Sequence, residues 1–431
     1  MTEPRRIPRA EHSISRSQIS HGALKVLYTL KDAGYEAYLV GGGVRDLLAG
    51  LTPKDFDIAT SAHPEQVKAL FRSCRLIGRR FVICHVRSGS EILEVTTFRG
   101  PITDSHERDE TGRILSDNEY GTLEEDAFRR DFTINALYYD IRDYTIVDYA
   151  NGLEDLRHGV VRLIGDPEQR YREDPVRMLR AVRIAQKMGF TIDTPSLTVI
   201  KRLGHLLCEI PAARLFDEIL KVLLSKDAVA NFIQLHELGL FKHLFPQTEQ
   251  ALEDARSYNF VISALLGTAD RLKREATVSP AFLYAALLWP PVVVRMKQLI
   301  ARQGHHYNVA SVQASEEILA HAIERVAIPK RFSLPMREIW QLQPRFEMRK
   351  GGQARRLLTH PRFRAAYDFL LLRAQAGEAP QELADWWTQA QTGQPLPPVS
   401  DDVQPQIADP ARKKRRRGGR GRKRAAAPTA E

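Results

Sequence analysis

LVGGGVRDLLAGLTPKDFDIATSA, from Leu39 to Ala62, decides how the rest of the chain is read. Apolar residues run up to Val40 and three glycines break them, so the stretch opens as a strand ending in a turn. Val44 to Leu48 then reads as a short helix closed by Gly50, and Phe56 to Ala59 as the core of a second strand. Asp55 and Asp57 stand two residues apart on that strand. Strand side chains two apart share a face, about 6–7 Å from each other along the backbone. Paired carboxylates suit divalent cations, and two cations about 3.5–4 Å apart clamp the attacking and leaving oxygens of a phosphoryl displacement. Gly41 and Gly42 let the backbone come close to a ligand. The bare amides opening the following helix attract phosphate. A phosphate cradle and a metal-binding pair thus sit in one strand–turn–helix–strand unit.

Outward from this unit, the spacing of Ala23, Leu24, Leu27 and Leu30 predicts a helix from Ser20 to Ala33, and Pro64 to Phe71 predicts another. Strands are expected at Leu76 to Ile77, Phe81 to Arg87 and Glu91 to Arg99. Gly100 to Gly121 is polar and rich in turn residues, which predicts a mobile loop near the site. Alternating strands and helices make this an α/β unit of about 140 residues. After Tyr149 helical periods take over. Helices are expected from Asp174-Pro175 to about Met188, then at Pro211 to Leu224, Ala228 to Leu238, Pro280 to Leu288, Val292 to Gln303 and Val312 to Ala327. Two more read at Pro335 to Leu342 and Phe363 to Ala376. The division expected is a flexible basic arm (1–20), a head (21–150), a helical neck (151–225), a helical body with an RNA-binding region (226–390), and a disordered linker and basic tail (391–431).

Three further clusters bear on chemistry. Arg45, on the first helical turn, can reach a phosphate or pair with Asp46. In FRRDFTINALYYD, from Phe128 to Asp140, Asp131 follows Arg129 and Arg130 and precedes an apolar, helix-like run. That acid is either a structural ion pair or a third carboxylate of the metal site, a place for which Glu94 competes. In YREDPVRMLRAVRIA, Arg177 and Arg180 share a helix face, and Asp174 stands three before Arg177. An acid and an arginine in fixed relation can read a base edge, the first accepting from an exocyclic amine and the second donating to a ring nitrogen. The same residues also serve as a cap and a surface ion pair.

Composition narrows the class. The 431 residues are 43% hydrophobic, enough for sizeable cores. No apolar run is long enough to span a bilayer. Met1 to Ser20 carries no signal-peptide pattern. Cys74, Cys84 and Cys208 are too few and too scattered for a disulfide framework or a zinc site, which points to a reducing, cytoplasmic compartment. The net charge of +10 resides in RKKRRRGGRGRKR, residues 412–424; without its ten basic residues, 53 basic face 53 acidic. Such a run cannot bury a core. It is either a solubilising tail or the partner of a polyanion, and the phosphate-directed site favours nucleic acid, through Arg412, Lys413, Lys414, Arg415, Arg416 and Arg417.

LVGGGVRD…DFDIAT, RRDFTINAL and REDPVRMLRAVR together resemble the class II tRNA nucleotidyltransferase/poly(A) polymerase family. The resemblance runs from about residue 20 to 376. PAFLYAALLWP, IPKRFSLPMREIWQLQPRF, HPRFRAAYDFLLLRA and the basic tail look like its polyadenylating branch. The resemblance implies an α+β fold, a polymerase-β-like nucleotidyltransferase head with a mixed sheet, followed by an all-helical neck, body and RNA-binding region. It implies that Asp55 and Asp57 hold two Mg2+ ions, with Asp131 as the third acidic active-site position. Gly41, Gly42 and Arg45 would grip the triphosphate of ATP, with Arg130 and Arg180 facing the nucleotide, while Asp174 and Arg177 read its base. The implied partners are ATP, RNA 3′ ends of low sequence specificity, and RNA-degradation machinery. The alternatives are a CCA-adding enzyme and an RNA-binding protein that keeps the head as a scaffold.

Overall fold

The computed structural model describes residues 3–78, 81–101 and 119–392. The predicted loop lies largely outside the described residues, over 102–118, and so do the basic tail with Arg412 to Arg417 and the linker from residue 393. The ends of that loop are fastened together: Gly121 N donates to the Phe98 carbonyl and Gly100 N to the Glu119 carbonyl.

Among the described residues eight strands form the head sheet: β1 (Arg5–Ile7), β2 (Ala37–Val40), β3 (Asp57–Thr60), β4 (Cys74–Ile77), β5 (Ile83–Ser88), β6 (Glu91–Thr97), β7 (Leu137–Asp140) and β8 (Ile146–Asp148). Their order is β1-β8-β7-β2-β3-β6-β5-β4, with β3 and β6 parallel and the other neighbours antiparallel. Helices α1 (His21–Asp32), α2 (Gly42–Leu48) and α3 (Pro64–Leu70) pack their apolar residues on one face, against Leu39, Ile58, Val86 and Leu93. Helix α4 (Leu123–Arg129) covers part of the other, where Leu123 and Ala127 meet Tyr38, Val40, Ala59 and Tyr138. The period of two in β3 puts Ile58 on the first face and Asp57 with Ala59 on the second.

Three expectations need correction. Residues 5–20 are not a free arm: β1 pairs with β8, Ile7, Ile14 and Ile19 are buried, and the His12 ring bonds the Tyr144 carbonyl at 2.8 Å. Isolated isoleucines in a polar stretch leave no period to read. The run after Asp131 is one 3-10 turn (Thr133–Asn135) and then β7, where aromatic residues suit a strand. Pro280–Gln303 is one helix passing through Pro290 and Pro291, not two. Both prolines are buried. Burial offsets a cost of about 3 kcal/mol for proline in a helix interior.

The span expected for the neck holds α5 (Gly152–His158), α6 (Pro167–Glu173), α7 (Val176–Met188), α8 (Thr194–Leu203) and α9 (Ala212–Leu223). Helix α7 ends where expected, at Gly189 in the left-handed region (φ +67°). One apolar core runs from Val176 and Leu179 of α7 through the later helices to Trp340 and Phe369. A smaller one joins Phe346, Phe363, Tyr367 and Trp387. Among the described residues no helix is long and apolar enough to cross a membrane, and the three cysteines are free.

Candidate active site

Pairing of β2 with β3 sets Val40 opposite Asp57 and so brings the glycine turn over the start of β3. Gly41 has φ +75°, and a Cβ built there would stand 3.4 Å from Asp57 Oδ2 and 3.7 Å from Arg130 Nη1. Glycine is needed for the backbone angle and for the approach. A Cβ on Gly43 would meet the Phe56 ring at 3.3 Å and the Asp55 carbonyl at 3.4 Å. Phe56 is buried between the two aspartates, while Asp57 is half-buried and Asp55 exposed. Asp55 lies just ahead of the strand rather than on it.

Parallel pairing sets Glu94 of β6 opposite Asp57, and β5 sets His85 opposite Glu94, with Nε2 3.6 Å from Oε1. Burial pushes the Asp57 carboxyl up to about 6; Glu94 and Asp55 add to the rise, and Arg130 and Arg180 oppose it. Crowded carboxylate oxygens that resist ionising together are donors a hard divalent cation satisfies. The residues therefore fit magnesium. Among the described residues no three acid, histidine or cysteine side chains close into a complete metal cage. Magnesium sites of this kind are completed by substrate phosphates and water.

Arg130 caps α4. Its Nε lies 2.9 Å from the Tyr138 hydroxyl and its Nη2 donates to Asp126 Oδ2 at 2.9 Å. Asp126 is buried and also accepts from Arg99 Nε at 3.0 Å and from the Tyr138 hydroxyl at 2.6 Å. Burial alone would raise the Asp126 carboxyl; Arg130 and Arg99 outweigh it and hold the group well below the usual carboxylate range.

Asp131 spends its oxygens elsewhere. Oδ2 pairs with Arg180 at 2.7 Å, while Oδ1 accepts from Phe132 N at 2.8 Å and Asn135 Nδ2 at 3.0 Å. Burial disfavours its charge, but Arg180 and Asn135 keep the carboxyl well below its ordinary range. The carboxylate beside Asp57 is Glu94. Arg45 is buried; it donates to Asp46 Oδ1 at 2.7 Å and to Asn135 Oδ1 at 2.7 Å, and the far oxygen of Asp46 takes Lys187 at 2.6 Å. Gly42 stays next to this guanidinium: a Cβ added there would lie 3.4 Å from Arg45 Nη2.

Asp174 sits at the junction of α6 and α7 rather than on the helix cap residue, which is Pro175. Its Oδ2 pairs with Arg214 of α9 at 2.7 Å. Arg177 donates to the Arg170 carbonyl at 2.7 Å and pairs with Glu173 at 3.1 Å. Asp126 and Glu173 were missed in the sequence, although each stands four residues before the arginine it holds, the spacing of a helical ion pair. Arg214 lies forty positions from its partner, and no local pattern announces it.

A glycine turn against Asp57, beside an arginine that caps a helix and on a mixed sheet, defines a nucleotidyltransferase head. Residues 37–162 match the family described as the poly A polymerase head domain. Residues 189–252 match "Probable RNA and SrmB- binding site of polymerase A", and 303–424 match the polymerase A arginine-rich C-terminus. The chain is 48% identical over 430 residues to poly(A) polymerase I of Salmonella typhi, covering 97% of this chain and 92% of that one. It is 43% identical over 397 residues to poly(A) polymerase I of Haemophilus influenzae, covering 89% and 87%. It belongs to the poly(A) polymerase I family. The CCA-adding enzyme of Lactobacillus helveticus is 44% identical, but over only 46% of this chain. Among solved structures, the Bacillus stearothermophilus CCA-adding enzyme in complex with CTP superposes with a TM-score of 0.59 at 27% identity, covering 85% of this chain and 81% of that one.

Proposed function

We propose that the protein adds AMP from ATP to RNA 3′ ends without a template and releases pyrophosphate. The observation that carries this reading is the meeting of Gly41, Asp57 and Arg130, with Glu94 across the strand, in a chain 48% identical to poly(A) polymerase I. Two magnesium ions bound by Asp55, Asp57 and Glu94 would lower the pKa of the RNA hydroxyl and neutralise charge on the triphosphate. The hydroxyl oxygen bonds to the α-phosphorus of ATP, and the bond from that phosphorus to the bridging oxygen of pyrophosphate breaks. The amides after Gly41 and the Arg130 guanidinium face the phosphates. Asp131 and Arg45 act one step removed, as anchors for Arg180 and for the glycine turn. Asp174 and Arg177 supply the nucleotide choice that no template gives, and their hold on Arg214 and Glu173 keeps them in place.

RNA is gripped mainly by its backbone, through the helical body and Arg412 to Arg417, so sequence preference is low. The setting is the cytoplasm, where a tailed RNA passes to RNA-degradation machinery. The test is purified protein with a generic RNA, or with a tRNA lacking its terminal nucleotides, plus ATP or CTP. Long tails from ATP alone are expected, and none from a folded Asp57→Ala variant. A stop after three nucleotides that requires CTP would identify a CCA-adding enzyme instead.

A further inference from the structure

The C-terminal helices enclose a cavity of about 480 Å3 far along the chain from the nucleotidyltransferase head. Its rim carries Arg345, Arg356 and His360 with the amides Asn308, Gln341 and Gln353, and its lining has no acid. Val312, Met348 and Leu357 supply apolar surface. Val312 and Met348 are 40% and 41% exposed. The walls are braced rather than loose. Gln343 Nε2 donates to the Ile339 and Ala366 carbonyls, which fixes the 3-10 turn (Gln343–Glu347) that holds Arg345. Trp387 Nε1 closes on the Phe346 carbonyl at 2.9 Å. Gln353 and Arg356 are three apart on the helix Gly351–Leu358 and so point the same way.

Cations in a lining without acids, amides able to pair with base edges, and apolar side chains are the parts of a nucleotide site. We infer that this cavity is a second RNA site, which holds a nucleotide of the single-stranded RNA upstream of the growing 3′ end. Arg345 and Arg356 take the phosphates, and the amides and apolar side chains take the base. The inference rests on the RNA-tailing reading, and it adds a place where a long product is retained while a short primer is not.

The test uses the full chain. An R345Q/R356Q double variant and a charge-adding Gln353→Arg variant are compared with wild type for binding of long oligo(A) across a salt series. AMP addition to long and short RNA is measured in parallel. In the double variant the KM for long RNA should rise with kcat unchanged. The slope of log affinity against log salt should become shallower by about 1.4, since each lost single-strand phosphate contact removes about 0.7. Gln353→Arg should tighten binding and steepen the slope. RNA affinity and slope equal to wild type in both variants would overturn the inference and leave the cavity to a partner other than RNA. A wild-type protein that binds RNA with the expected slope yet adds no AMP would sink the activity and spare the site.

Discussion

Replacing Asp126 by asparagine removes one charge and strands two. The carboxylate is buried at 1% exposure between Arg99 and Arg130, and the Tyr138 hydroxyl donates to it at 2.6 Å. Arg99 keeps about a quarter of its side chain in water and can be rehydrated, so the loss falls chiefly on Arg130, which is 14% exposed. Breaking a buried pair by removing one partner costs about 3–5 kcal/mol. Urea unfolding of D126N near neutral pH should therefore show a loss of that size. Acid supplies an independent readout. The folded-state carboxyl lies below its unfolded value, so its contribution is present above about pH 4 and is lost as pH falls through the folded value. Each unit of depression is worth about 1.4 kcal/mol. Wild type should weaken on that limb, and D126N should have less left to lose. Combining D126N with Arg130→Met should cost less than the sum of the two, by about 0.5–3 kcal/mol of coupling. Additive losses, or an acid limb in D126N as steep as in wild type, would refute the assignment of this stability to the buried pair.

Gly41→Ala forces alanine to φ +75° and ψ −142°, backbone that glycine alone adopts readily, at about 1–3 kcal/mol, and sets a methyl against Asp57 and Arg130. AMP transfer should fall about tenfold or more while RNA binding holds, and wild-type turnover would show that the turn lies away from the chemistry. Arg177→Ala and Arg214→Ala should both relax the preference for ATP, the second by releasing Asp174; unchanged selectivity in both would remove the α6–α7 junction as the reader of the base. Deleting residues 410–431 should weaken RNA affinity and flatten its salt dependence without slowing nucleotide transfer, and an unchanged salt slope would make the tail a solubiliser.

What could be read in the sequence was whatever local spacing encodes. The GGGVRD turn, the start of a strand at Asp57 and the stop at Gly189 depend on residues within a few positions of one another, and the structure has them, although Asp55 falls just ahead of that strand. Partners brought in by folding could not be read. Asp46 was legible as a partner of Arg45, but Asn135, which the fold brings to the same buried guanidinium from ninety positions away, was not. The choice between Asp131 and Glu94 turns on a parallel pairing of β3 with β6 across a long connection, and on Arg180 arriving from the neck to claim Asp131. The N-terminal strand failed for another reason: three buried isoleucines separated by basic and polar residues look like a solvated arm until β8 offers its edge.

Lys187, Asp46, Arg45, Asn135, Asp131 and Arg180 form one unbroken series of polar contacts, leaving α7 at one residue and returning to it at another. Such a loop has the inheritance of a single trait. A neck grafted from a relative would bring its own lysine and arginine, and these would need the recipient's Asp46, Asn135 and Asp131 to meet them. Chimeras cut between head and neck should therefore work only when all six positions come from one parent, and drift at any one of them should be tolerated only with matching change at its neighbour.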